Sequence, residues 1–167
     1  MHYVLECFGL RKVKGVGACT YDFITSSPEE KKELGLIESA SFLELDINWS
    51  QATCALQLQE VAVTLVAEKK KIKLDKTNVE RILNKKITGE LSFNDRYRAF
   101  SKQVKTSFKI DMPRLTTHLR KMRTEVLHQG YNPTPEETES ITSFTIGLLK
   151  KLDACIEKQL PYLEVGH

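Results

Sequence analysis

The sequence predicts an all-α fold, a bundle of about five helices. Ser/Thr-x-x-Glu helix starts recur along the chain, and between them apolar residues return at three- and four-residue steps. The length of 167 residues suits one ordinary domain.

The first 27 residues stand apart from that pattern. Tyr3–Phe8 and Ala18–Ile24 are rich in strand formers and flank the glycine-containing stretch Lys12–Gly17, so residues 1–27 are expected to form an arm or a strand hairpin. The bundle is expected over 28–160, with 161–167 as a C-terminal tail. Ser27-Pro28-Glu29-Glu30 opens the helical part with a capping box and a proline at the first helical position. Ser50 is placed to cap a long helix in which Ala55, Leu58, Ala62 and Leu65 recur as far as about Lys73. Thr77-Asn78-Val79-Glu80 repeats the box before a shorter helix marked by Val79, Ile82, Leu83 and Ile87, ending near Gly89. Tyr97, Phe100, Val104 and Phe108 form the next stripe, and Leu115, Leu119, Met122 and Val126 the one after. Thr134-Pro135-Glu136-Glu137 starts the last helix, with Ile141, Phe144, Leu148, Leu152 and Cys155 on one face. Trp49, the only tryptophan, is expected to anchor the core near the start of the long helix.

Composition narrows the class further. A net charge of +3 leans basic without the excess expected of a dedicated duplex-DNA binder. The longest apolar stretch, Val61–Ala67, is far below the roughly 20 residues that cross a bilayer, so no membrane association is expected. Glu6 interrupts the first apolar run and the basic residues follow it, which argues against a secretory signal and for a cytoplasmic protein. Cys7, Cys19, Cys54 and Cys155 are scattered, and with the four histidines they offer no zinc-site spacing. They read as reduced, metal-free residues.

The segment richest in chemistry is Leu119–Tyr131. Gly130 stops a helix there and Asn132-Pro133 reinforces the stop. His128 therefore falls in the last turn, where the negative end of the helix dipole stabilises positive charge. At about 100° per residue, with the apolar stripe at 0°, Arg123 falls near 70°, Leu127 near 110°, Arg120 near 130°, Thr124 near 170° and His128 near 210°. Arg123 and His128 thus bracket a second face with an apolar residue in its middle. Such a face suits a helix that packs against a partner while holding charges beside a groove.

Arg123-x-x-x-x-His128, late in a helical chain and followed by one more helix, resembles the motif of the HEPN superfamily (higher eukaryotes and prokaryotes nucleotide-binding domain). The resemblance extends over roughly residues 39–158, and Arg123–Tyr131 is its motif-specific part. Thr124 stands where many members have Asn, Asp or His, and Tyr131 follows the histidine by three residues rather than the two of some toxin members. The resemblance implies a dimeric helical bundle and a metal-independent endoribonuclease, needing no cofactor, in a toxin–antitoxin or antiviral defence setting. RNA would be the substrate, and a separate antitoxin or nucleotidyltransferase a further partner. Arg123 and His128 would be its catalytic residues, with two copies of each brought into one cleft by a two-fold axis near Leu127. Histidine can move the protons, and the arginine fork can hold phosphoryl oxygens.

Thr124, Tyr131, Glu60 and Arg120 are candidate supporting residues. Glu60 either orients a motif residue from across the bundle or is simply an exposed helical glutamate. Tyr131 either lines the cleft or packs against the last helix. Lys69–Lys71 and Lys73 either guide an RNA backbone or form a solvated helix end, the reading we favour. The alternative function is a non-catalytic HEPN module that binds a nucleotide, RNA or a protein. A helical interaction domain that carries the motif by accident is the third.

Overall fold

The computed structural model describes the backbone of residues 44–158 and the side chains of 48–158. The expected arm at 1–27, the box at Ser27 and the tail at 161–167 lie outside the described residues. Within them the chain is all-helical: α1 (Glu44–Lys69), α2 (Lys76–Leu83), α3 (Phe93–Phe108), α4 (Thr117–Gln129) and α5 (Pro135–Glu157). None of these helices is long and apolar enough to cross a membrane.

The long helices α1 and α5 pack along each other and form the spine of the bundle. Ala52, Ala55 and Ala62 keep α1 slim where it meets Ile141, Leu148 and Leu152, all fully buried. A buried polar link crosses this apolar contact. Gln59 Nε2 donates to Thr145 Oγ1 at 2.8 Å, and that hydroxyl donates to the Ile141 carbonyl at 2.8 Å. Helices α3 and α4 lean on α1, and α2 packs on α3 around Val79, Ile87 and Ala99. The expected α3 stripe of Tyr97, Phe100, Val104 and Phe108 is buried in full. Cys54 and Cys155 are free thiols, and burial pushes both upward from the usual thiol range.

The ends of the helices show where local signals succeed. Thr134 and Glu137 close the expected capping box on α5, with the Thr134 N–H donating to Glu137 Oε2 and the Glu137 N–H to Thr134 Oγ1. Gly130 ends α4 in the left-handed region, at φ 65°.

Several expectations are corrected. Ser50 lies inside α1 rather than capping it, because nothing from Glu44 to Trp49 breaks a helix and the turn simply continues upstream. The same helix stops at Lys69, short of Lys73, where Lys71 turns left-handed and the Ile72 N–H reaches back to the Ala67 carbonyl. Asp75, not Thr77, caps α2, accepting from the Asn78 N–H. Glu80 is spent instead on the Ile87 N–H at 2.7 Å, and the helix ends at Asn84 rather than near Gly89. Trp49 is 40% exposed, so it is not a core anchor. Leu115 also precedes α4, ahead of its cap Thr116, and packs against the core from there.

The basic run is partly absorbed by the fold. Lys70 Nζ donates to the Ile156 carbonyl at 3.0 Å and to the Lys158 carbonyl at the end of α5, and it sits 5.3 Å from the Phe108 ring centre.

Two glycines give opposite expectations. A Cβ at Gly147, inside α5, would meet only Pro113 Cγ at 3.9 Å, whereas Gly130 needs its positive φ. Gly147→Ala should raise stability by about 0.5–1 kcal/mol, and Gly130→Ala should lower it by about 1–2 kcal/mol. Urea unfolding of the two variants checks both signs.

Candidate functional site

Arg123 projects from the middle of α4 toward α1, and its side chain is only 11% exposed. Its Nη1 donates to the Leu56 carbonyl at 3.0 Å, and its Nη2 donates to Glu60 Oε2 at 2.6 Å. The other carboxylate oxygen of Glu60 takes an ion pair from Arg96 of α3. The guanidinium carbon lies 4.0 Å from the centre of the Phe93 ring, so the cation also rests on an aromatic face. Burial lowers the Arg123 proton affinity and the neighbouring Arg96 lowers it further, while the Glu60 charge and hydrogen bond raise it again. Arginine stays charged through such shifts, so a paired cation is held at the foot of the site.

A cleft of about 490 Å³ opens beside this pair, between α4 and the start of α3. Arg120, Arg123, Thr124, Leu127 and His128 of α4 all line it, as do Glu60 and Arg96. Helix periodicity places the α4 residues together, and the structure adds what they face. Arg123 is turned inward rather than standing at the edge of an open face, because the α1 carboxylate lies within its reach. Leu127 is half-buried and touches the core, while Thr124 and His128 are exposed. Thr124 Oγ1 bonds back to the Arg120 carbonyl at 3.2 Å, and Arg120 Nη2 donates to Thr117 Oγ1 at 2.8 Å.

Glu60 is half-buried and bonds Arg123 from across the bundle. Tyr131 does not line the cleft. Its hydroxyl donates to Glu137 Oε2 at 2.9 Å, the oxygen that also closes the α5 capping box, and this bond pushes the phenol above its ordinary range. Sequence reasoning missed Arg96 and Phe93. Arg96 sits three residues after Phe93 and four before Phe100, so a charge placed on the buried stripe of α3 was the available signal.

Comparison with known protein families, with curated proteins and with solved structures finds no match to this chain.

Because Arg123 is desolvated, its partner matters more than a surface ion pair would. Glu60→Gln should cost about 1–3 kcal/mol in urea unfolding, whereas Lys121→Gln, which loses only a long i,i+4 pair between an exposed lysine and the half-buried Glu125, should cost less than about 0.5 kcal/mol. Equal effects would contradict the anchoring role of Glu60.

Proposed function

We propose that this chain is a HEPN-type endoribonuclease that cleaves RNA without a metal, in a composite cleft formed by two copies. The observation that carries the reading is that Arg123 and His128, the pair that resembles the family motif, line one cleft with Arg96 and Arg120. In this chemistry the 2′-hydroxyl of RNA attacks the adjacent phosphorus and the 5′-oxygen leaves, giving a 2′,3′-cyclic phosphate. His128 transfers a proton. Arg123 spends two of its five N–H groups on Leu56 and Glu60, and the remainder serve the phosphoryl oxygens. A two-fold copy would supply the second histidine, so that one acts as base and the other as acid. The toxin–antitoxin or defence setting, and a separate antitoxin or nucleotidyltransferase partner, follow from the resemblance alone.

A second reading has its own observation. Arg123 is paired with Glu60 and stacked on Phe93, as a structural cation would be, which favours a HEPN module that binds a nucleotide, RNA or a protein without cleaving.

Purified protein incubated with RNA in EDTA separates the two. On the enzyme reading cleavage persists, leaves cyclic phosphate ends, and falls by about 10²–10⁴-fold in His128→Ala. Loss of cleavage in EDTA with recovery in Mg²⁺ would sink the mechanism. Arg123→Lys sharpens the contrast: single-turnover cleavage should collapse while RNA affinity changes little, because lysine keeps the charge without the fork.

Assembly is tested separately. Light scattering should show a dimer, and Leu127→Asp, checked for retained helicity by circular dichroism, should yield monomers. A monomeric wild type at concentrations where it cleaves RNA would overturn the composite cleft.

A further inference from the structure

A second depression, of about 610 Å³, lies between α3 and the segment leading into α4. It adjoins the Arg123 cleft, since Asn94, Leu115 and Arg120 line both. Arg98, Lys102, Arg114 and Arg120 line it together with the hydroxyls of Ser101 and Thr117, and no aspartate or glutamate does. The chain as a whole is nearly balanced, with 25 basic and 22 acidic residues, so this wall is a segregation of charge rather than an average sample.

The cations on it are only lightly engaged. Lys102 Nζ donates to the Ile82 carbonyl at 2.8 Å and keeps its charge uncompensated there. Arg98 and Arg114 are exposed, and among the described residues neither has a carboxylate within ion-pair distance. At the junction of the two depressions, Arg120 Nε is buried without a hydrogen-bond partner among the described residues. A buried donor in that state favours an acceptor oxygen. Arg98 and Lys102 are four residues apart on α3, about 6 Å along its axis, comparable with successive phosphates of a stretched strand.

We infer that this groove holds the sugar–phosphate backbone of the RNA strand flanking the phosphate in the Arg123 cleft, with Arg98, Lys102 and Arg114 as its phosphate contacts and Arg120 shared between the two. The inference rests on the proposed RNA substrate but not on cleavage. The cations and hydroxyls of the groove, whose other lining residues include the apolar Leu83, Met112, Pro113 and Leu115, neutralise a backbone without reading its bases, so the groove adds affinity without sequence preference.

The test is binding of 2′-O-methyl RNA, which has no free 2′-hydroxyl to attack, measured by filter binding over a range of salt. For a hexadecanucleotide, Arg98→Gln/Arg114→Gln should lose about tenfold in affinity at low salt. The slope of log K against log salt should become shallower by about 1.4, two single-strand phosphate contacts. Lys150→Gln/Lys151→Gln, on exposed α5 positions outside both depressions, removes the same charge and should leave the slope unchanged. An unchanged slope in the groove variant, or equal losses in the two variants, would overturn the groove. Unmethylated RNA is assayed in parallel. A wild type that cleaves none of it, while the groove variant still loses binding, overturns the enzyme reading and leaves the groove standing.

Discussion

One carboxylate joins three helices. Glu60 of α1 pairs with Arg123 of α4 through one oxygen and with Arg96 of α3 through the other. Arg123 is almost fully withdrawn from water, and an arginine there cannot shed its proton to escape the cost. Removing a charge from water costs several kcal/mol, so the arrangement holds only where a counter-charge and hydrogen bonds meet it in good geometry. Apolar contacts tolerate sliding, but a fork bonded to a carboxylate and a carbonyl does not. A slip of one residue along α4 would swing Arg123 by about 100° and break both bonds. The pair therefore sets the rotation of α4, and with it which side chains border the cleft.

The bundle was legible where the signal was local and complete. The α5 capping box needs only Thr134, Pro135 and Glu137, and each acts as its type dictates. The matching pattern at Thr77 and Glu80 misled because two acceptors were available. Asp75 lies just upstream and caps more readily, and Glu80 was claimed by the backbone of a loop seven residues on. No pattern in a single helix reveals that claim. The early end of α1 was hidden for a related reason: Lys71 adopts the left-handed turn that glycine usually marks.

The candidate site divides in the same way. Helix periodicity was enough to gather Arg120, Arg123, Thr124, Leu127 and His128 along one wall, because they share one helix. The inward turn of Arg123 was not readable, since it depends on how α1 crosses α4. Glu60 had an orienting reading and a bland one, and only its distance to Arg123 separates them. Tyr131 follows the left-handed Gly130, so its direction depends on a turn that sends it to Glu137 rather than into the cleft.

The two depressions differ in a way that bears on any polyanion they receive. In the cleft, Arg96, Arg120 and Arg123 are offset by Glu60 and Glu90, so it offers fixed donors with little surplus charge. In the adjoining groove four cations face no carboxylate at all. A strand drawn mainly by the groove would reach the cleft already held, and a cleft that binds the ground state only weakly leaves its donors to act where charge builds up on the phosphorus oxygens. On the proposed reading, affinity and chemistry are thus assigned to different walls of one continuous surface. Glu60 then serves two ends: it holds Arg123 in place, and it keeps that arginine from gripping every passing phosphate.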